Sequence, residues 1–298
     1  MKPTPLSKAA SLVTLVAIWG TTWAVIRIGL GGIPPFTGVA LRFAAAGLVL
    51  WGVAFAIGLR GPRLRAPLWL WTAQGLLTFS VSYGLVYWAE QWVPTGLTAV
   101  YFATFPLWVA VLAHFALPGE RIRPVGVVGL LLALGGVALL FSQDFAALGG
   151  PQVATASVLL LLAPLSSAVA QILVKRFGHD VHPVTLNAGS MLIAAAAVGA
   201  IALVVERGRP VRFDLVSVGS LLYLAILGTT VTFSLYFWLL RHMTATGLSL
   251  TAYAIPVVAV VVGALAFHEP VTPQLLAGGA LVIAGTLLAA RRGQPAKR

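Results

Sequence analysis

The sequence contains no cysteine and only seven acidic side chains among 298 residues. The absence of cysteine excludes disulfide bonds, thiolate metal sites and a cysteine nucleophile. Charged residues of both signs make up 9% of the chain, whereas soluble domains carry about 25%. A chain so poor in charge cannot cover a globule in water, so lipid must surround most of it. We therefore predict an all-α polytopic membrane protein.

The acidic residues are as informative by their positions as by their scarcity. All of them fall in links between apolar stretches or at the ends of these stretches: Glu90, Glu120, Asp144, Asp180, Glu206, Asp214 and Glu269. Proton relays in membrane proteins usually lie near the bilayer midplane. Facilitated transport therefore fits this sequence better than proton coupling through a buried carboxylate.

Histidine and acidic clusters, which a membrane-embedded enzyme would need for metal or acid–base chemistry, are almost lacking. The group His179, Asp180 and His182 is interpreted as a solvated turn. We expect no catalytic residues, no metal and no cofactor, and an enzyme remains a remote alternative.

What the chain does have is long apolar stretches of the length that crosses a bilayer, about 20 residues each. Ten qualify, and short polar links separate them. They lie at about 10–29, 34–58, 67–89, 94–116, 124–142, 153–174, 183–205, 216–239, 245–267 and 272–290.

The basic residues predict the orientation of these spans. With the N-terminus in the cytoplasm, 14 of the 19 Lys and Arg residues fall on the inside, and three fall outside at Arg207, Arg209 and Arg212. This asymmetry favours both termini inside and an even number of spans in a bacterial-type inner membrane. The net charge of +12 follows the same rule, and no basic run with interleaved aromatics indicates nucleic-acid binding. The expected partners are the bilayer and a small-molecule substrate, and the chain is expected as a monomer or weak homodimer.

The chain repeats itself at a separation of about 150 residues. TGLTAVYFATFP at 95–106 resembles TGLSLTAYAIP at 246–256, and FSVSYGLVYW at 79–88 resembles TTVTFSLYFW at 229–238. The sequence thus predicts two five-helix halves, 1–148 and 149–298, within one integral membrane domain. Because five is odd, the second half enters the membrane upside down. Inverted repeats of this kind place a binding site at the midplane and work by alternating access; a duplication kept only as scaffold is the alternative.

The opening of the chain resembles EamA-type proteins of the drug/metabolite transporter superfamily. The resemblance rests on WGTTWAVIRIGL and PPFTGVALRFAAAGLVL within 19–50, and on the turns GE at 119–120 and HE at 268–269, each followed by a glycine-rich helix. It covers nearly the whole chain. It implies a ten-helix secondary transporter that exports small amphipathic metabolites such as amino acids, aromatic or hydrophobic ones favoured. A multidrug or other metabolite permease is the alternative.

Aromatic and hydroxyl side chains share helical faces in several spans, as residues three and four apart do. Such a face suits a ligand with an apolar body and a few polar groups, while ordinary packing is the alternative for each residue. The opposite face of span 3, with Gln74, Thr78 and Ser82, is expected to meet a neighbouring helix. The candidate substrate-binding residues are Trp19, Thr22, Trp23, Ser80, Tyr83, Tyr87, Thr98, Tyr101, Phe105, Phe233, Phe237, Ser249 and Tyr253.

Three prolines and one arginine complete the candidate site. Pro106, Pro164 and Pro256 lie near the middle of spans 4, 6 and 9, where they would kink the helix and free carbonyl groups. Interruptions in corresponding spans point to a transport site, although a kink that only shapes packing would leave the same pattern. Arg42, the one deep charge, either attracts a substrate carboxylate or clamps helix-end carbonyls, and the second reading is favoured.

Small residues recur in spans 5 and 10, where they allow two helices to approach closely. They include Gly129 and Gly136 in span 5, and Gly278 and Gly285 in span 10. Polar side chains are scarce in these spans. We therefore assign them to packing or to a dimer contact and not to the pathway.

Overall fold

The computed structural model describes residues 4–59, 67–93, 95–140, 142, 151–258 and 272–290. Within these ranges the chain is helical and contains no β-strand, so the all-α fold class is confirmed. The expected boundary at 148–149, the end of span 9 at 259–267, and the acids Asp144 and Glu269 lie outside the described residues.

We number the helical segments 1 to 10 after the predicted spans that contain them. Segments 1, 2, 4, 6, 7 and 8 are long and apolar enough to cross a membrane, and segments 5, 9 and 10 are shorter apolar helices over the residues described. Segment 3 is also continuously helical. The bounds are Pro5–Gly29, Pro35–Ala56, 68–89, 95–116, Pro124–Leu140, Pro151–Phe177, Pro183–Val205, Leu215–His242, Ala245–Val258 and Pro273–Ala290.

Proline begins six of these segments. Proline lacks an N–H group and its φ angle is already helical, so it suits the first turn, where backbone N–H groups have no partner within the helix. Side-chain caps satisfy other helix starts: Asp214 accepts a hydrogen bond from Ser217 N, and Thr244 accepts one from Gly247 N. The initial prolines are Pro5, Pro35, Pro124, Pro151, Pro183 and Pro273.

The packing joins segments from the two parts of the sequence. Segment 2 packs along segment 7, segment 5 along segment 10, and segment 1 against segment 8. Segment 3 lies against segments 6 and 7, and segment 4 lies against segment 6. The buried apolar side chains therefore form a core to which residues from both halves of the chain contribute.

Segments 3 and 8 each contain a π-helical stretch. It covers Gly75–Ser82 in segment 3 and Ile226–Val231 in segment 8, which are equivalent positions in the 150-residue repeat. In each of the two segments a hydroxyl group donates a hydrogen bond to the carbonyl five residues earlier: Ser80 Oγ donates to Gly75 O, and Thr229 Oγ1 donates to Leu224 O. π-Helical turns are rare and occur often at functional sites.

Segments 4, 6 and 9 are each divided into two consecutive helical pieces. Segment 4 consists of Thr95–Phe102 and Phe105–Ala116, segment 6 of Pro151–Leu160 and Leu162–Phe177, and segment 9 of Ala245–Ser249 and 251–258. Pro106 and Pro164 lie in the first turn of the second piece, where a backbone N–H would have no partner within the helix. Pro256 lies within the second piece of segment 9.

Candidate functional site

A central cavity lies between two walls of helices. Segments 3 and 4 pack around segment 6 on one side, and segments 1 and 9 around segment 8 on the other. The empty space between the walls is about 840 Å³, including the part continuous with its surroundings. It is lined by Trp19, Thr22, Trp23, Ile26, Thr78, Ser82, Tyr83, Val86, Phe102, Phe105, Ser167, Gln171, Phe233, Tyr236, Phe237, Thr251, Ala252 and Ile255.

Most of this surface is aromatic or aliphatic, and polar groups are neutral. Aromatic rings contact one another between the walls: Tyr83 lies 6.1 Å from Phe233 between ring centroids, and Trp23 lies 5.8 Å from Phe102. None of the lining residues just given is charged. Seven of the candidates from the sequence line the cavity, namely Trp19, Thr22, Trp23, Tyr83, Phe105, Phe233 and Phe237.

Two candidates in segment 3, Ser80 and Tyr87, have other surroundings. The Ser80 hydroxyl donates to Gly75 O inside the π-helix at 3.0 Å. The Tyr87 hydroxyl accepts from Arg42 Nη1 at 3.0 Å, and its ring lines a smaller cavity beside segment 2. Neither is among the residues that line the central cavity.

Candidates in segments 4 and 9 are buried in helix packing. Thr98 and Ser249 are completely buried, and the Ser249 hydroxyl donates to Thr246 O. Tyr253 is also fully buried, and its hydroxyl donates to Leu130 O of segment 5 at 3.0 Å. Tyr101 is partly buried against the core. Phe105, a candidate in segment 4, does line the cavity, and the rest of the cavity face of these segments is formed by Phe102, Thr251, Ala252 and Ile255.

Arg42 holds the π-helix of segment 8. Its Nε donates to Thr229 Oγ1 at 2.7 Å, its Nη2 donates to Gly228 O at 3.0 Å, and its guanidinium lies 4.9 Å from the centre of the Tyr83 ring. The side chain is 1% exposed and is not among the residues that line the cavity. Bonding to a carbonyl that the π-turn frees is a structural use of a buried cation.

Thr78 and Ser82 of segment 3 line the cavity, whereas the sequence led us to expect them against a neighbouring helix. In segment 3 the cavity side carries Thr78, Ser82 and Val86, with Tyr83 at its border. Thr78, Ser82 and Val86 are spaced four residues apart, so the sequence predicts that they share one face of the helix. The sequence does not indicate which face of segment 3 meets the cavity. Gln74, just before the π-turn, does reach a neighbouring helix, where it donates to Asn187 Oδ1.

Gln171 of segment 6 and Tyr236 of segment 8 form the main polar contact between the two walls. The Tyr236 hydroxyl donates to Gln171 Oε1, and Gln171 Nε2 donates to Ala245 O at the start of segment 9. Ser167 lies one turn from Gln171 and also lines the cavity. Polar residues four apart in an apolar span are a signal that the sequence did offer.

Further polar bonds join the walls beyond Gln171, at the end of the molecule predicted to face the cytoplasm. Glu120 accepts hydrogen bonds from Ala245 N at 2.9 Å and Thr246 N at 3.1 Å. Lys175 Nζ donates to Leu240 O and to Met243 O, both at 2.6 Å. These bonds hold the two walls together at that end of the cavity.

The opposite end has fewer polar bonds between the walls. Arg27 Nη1 of segment 1 donates to Glu90 O of segment 3 at 3.2 Å. The Glu90 side chain is 1% exposed, and both of its carboxylate oxygens lack a hydrogen-bond partner among the described residues. Burial therefore raises the pKa of Glu90 to about 8, although the Arg27 cation acts in the opposite direction.

Possible metal sites were sought among the residues that the structure describes. No group of three or more His, Asp and Glu side chains in those ranges could hold a metal ion. The central cavity offers aromatic rings, hydroxyls and one amide, which suit non-covalent binding of a small organic molecule.

An all-helical membrane protein with a neutral, aromatic cavity between two helical walls has the architecture of a transporter. The chain belongs to the EamA-like transporter family, whose sequence profile matches residues 7–142 and again 154–291. The resemblance noted in the sequence is thereby confirmed. The family and its relatives are transporters, and the apolar helices support an integral membrane location.

Curated relatives of the same length range align along almost the whole chain. The uncharacterized inner membrane transporter YedA of Escherichia coli (strain K12) is 33% identical over 286 residues, which cover 93% of this chain and 89% of that protein. A probable terminal-alkyne amino-acid exporter of Streptantibioticus cattleyicolor is 30% identical and covers 96% of this chain and 95% of that protein. A solved crystal structure with 23% identity superposes with a TM-score of 0.80 over 97% of this chain and all of that chain, which shows the fold.

Proposed function

We propose that this protein exports small amphipathic metabolites, amino acids with aromatic or hydrophobic side chains favoured, by facilitated alternating access. The observation that carries the proposal is the composition of the central cavity. Aromatic rings and aliphatic side chains give it apolar walls, and Ser82, Ser167 and Gln171 supply polar groups on one side. The relative described as a probable amino-acid exporter supports the substrate class.

Unused hydrogen-bonding capacity in the cavity supports a ligand with polar atoms. Ser82 is fully buried, and its hydroxyl has no hydrogen-bond partner among the described residues. A buried hydroxyl without a partner lowers stability by about 1–3 kcal/mol. A substrate that bonds to Ser82 would remove this penalty, and an apolar solute would not.

The architecture proposed for transport has ten spans in two inverted halves, 1–148 and 149–298, with both termini in the cytoplasm. Four pairs of cavity residues support the repeat, because the two members of each pair lie 150 positions apart. These pairs are Tyr83 and Phe233, Val86 and Tyr236, Phe102 and Ala252, and Phe105 and Ile255. Inverted repeats use such pseudo-symmetry to exchange inward-open and outward-open states.

A multidrug permease for cationic compounds is the alternative. Cation transporters generally place a carboxylate where the substrate binds. No residue in the lining of the central cavity is acidic. This favours neutral or zwitterionic substrates, and it agrees with transport that needs no buried carboxylate in the pathway.

The test is counterflow of radiolabelled phenylalanine into liposomes that contain the purified protein, with equal pH on both sides. Trp23→Ala is expected to raise the KM about fivefold, because one aromatic contact is worth about 1 kcal/mol. Trp51→Ala is the matched control, since Trp51 packs against Trp71 and Phe55 outside the cavity. Absence of counterflow by the wild-type protein, or equal KM values for both variants, would contradict the proposal.

A further inference from the structure

A second cavity lies beside the central one, at the ends of segments 6 and 8 and the start of segment 7. Its empty space is about 1240 Å³, including the part open to its surroundings. It lies at the end predicted to face the cytoplasm. The cavity is lined by Val174, Lys175, Gly178, His179, Val181, Pro183, Leu186, Phe237, Trp238, Leu240, Arg241 and His242.

The charges in this lining have one sign. Lys175 and Arg241 are cations, His179 and His242 can become cations, and no acidic residue belongs to the lining. The nearest acid in sequence, Asp180, is exposed and is not part of it. Charges of one sign in a cavity with apolar walls raise the local concentration of the opposite charge.

Other groups near the cavity leave this positive potential in place. Glu120 acts electrostatically on Lys175, but its carboxylate is bonded to the backbone N–H groups of Ala245 and Thr246. Burial and the nearby Arg241 cation lower the pKa of His182, the residue before segment 7. His182 is therefore neutral at pH 7 and adds no charge to the cavity.

Both cations keep donors available for a ligand. Lys175 Nζ bonds to two carbonyls, which leaves one of the three N–H groups of an ammonium. Arg241 is exposed, and its Nη2 bonds to His179 O at 2.6 Å. The remaining N–H groups of its guanidinium form the planar fork that suits a carboxylate or a phosphate.

Phe237 lines both cavities and separates them. Its ring stacks on that of Phe233, with 6.2 Å between centroids, and meets the Tyr236 ring edge-on at 5.5 Å. The side chain is 4% exposed. A change of the Phe237 rotamer would join the basic cavity to the neutral one.

We infer that the second cavity is the cytoplasmic entrance site for carboxylate-bearing substrates, with Arg241 at its rim and Phe237 between it and the central cavity. This inference rests on the proposed function, and it states that the carboxylate is the part of the substrate that is recognised first. The carboxylate lies toward Arg241 and Lys175, and the apolar body lies toward Phe237 and Trp238. Cations without a carboxylate are repelled at the same place.

The experiment compares two substrates and three variants in liposomes. Phenylalanine is compared with phenylalaninamide, which has the same ring and amine but no carboxylate. Arg241→Gln is expected to raise the KM for phenylalanine roughly twofold to fivefold, as one partly exposed charge does, and to leave the KM for the amide unchanged or lower. Arg241→Lys retains the charge and should stay close to wild type. Arg176→Gln is the control, because Arg176 is exposed at the same end and lies over the Phe177 ring outside the cavity.

Lipid phosphate shares the chemistry of a carboxylate, so the measurements are repeated in phosphatidylcholine vesicles with and without phosphatidylglycerol. An effect of Arg241→Gln in pure phosphatidylcholine, confined to phenylalanine, supports the entrance site. An effect seen only with phosphatidylglycerol and equal for both substrates would assign the cavity to a lipid headgroup and overturn the inference. Unchanged KM values in Arg241→Gln would also overturn it while leaving the proposed function intact. A wild-type protein that moves neither compound would overturn both.

Discussion

Gly136 permits a close backbone contact between segments 5 and 10, and an added methyl group there should separate them. A Cβ atom at Gly136 would lie 2.6 Å from Val282 N and 2.8 Å from Gly278 O, both backbone atoms. Ordinary contact begins near 3.4 Å, so the helices would have to move apart by about 0.8 Å, the difference between 3.4 and 2.6 Å. Overpacking of this kind destabilises by about 1–3 kcal/mol. Gly136→Ala is therefore expected to lower the stability of the fold.

Gly135→Ala is the matched control, because it is the neighbouring residue in the same helix and a Cβ there would meet no atom within 4 Å. The thermal unfolding midpoint in detergent should fall by roughly 3 °C in Gly136→Ala, for a loss of about 2 kcal/mol in a chain of this size. It should stay unchanged or rise in Gly135→Ala, since alanine favours the helix over glycine by up to about 1 kcal/mol. Equal midpoints for the two variants would refute the packing described between segments 5 and 10.

Two further predictions concern buried polar groups. Tyr253→Phe removes the hydrogen bond to Leu130 O and should lower the unfolding free energy by about 1 kcal/mol without changing the KM for substrate; a raised KM at unchanged stability would show that Tyr253 contacts the substrate. The neutral carboxyl of Glu90 contributes stability that is fully present below its ordinary pKa of 4.5 and is lost as the pH rises to about 8. Glu90→Gln should therefore unfold at a midpoint that is nearly independent of pH over this range, whereas the wild-type midpoint falls; parallel curves would contradict the assignment.

The helical membrane class followed from the apolar composition together with the length of the apolar stretches, since about 20 apolar residues cross a bilayer as a helix that satisfies its own backbone groups. The aromatic content of the cavity was also predictable, since Trp19, Trp23 and Phe233 are large side chains deep in their spans. The packing of Tyr253 against segment 5 could not be predicted from the sequence. Both faces of segment 9 carry residues of similar size and polarity, so its rotation depends on which neighbour it meets in three dimensions.

Hydrogen bonds between polar groups of different segments could not be predicted from the sequence either. Arg42 was recognisable as a costly buried charge, but two of its partners lie 186 and 187 residues away, at Gly228 O and Thr229 Oγ1. Local periodicity carries no information on contacts at that separation. Glu90 was assigned to the end of a span, and only the packing of the surrounding helices shows that its carboxylate is buried.

The duplicated halves give the cavity a shared backbone frame but not the same chemistry. Phe102 and Phe105 of segment 4 correspond to Ala252 and Ile255 of segment 9, so within this pair of segments the aromatic rings lie on one wall. In segments 3 and 8 the aromatic residue lies on the opposite wall, because Val86 of segment 3 corresponds to Tyr236 of segment 8. A symmetric pair of helices could rock equally well in both directions, yet a bound molecule meets different groups on each side. An asymmetric ligand with one ring and one polar end therefore has a preferred orientation in this cavity, and an apolar molecule of the same size without a polar end does not.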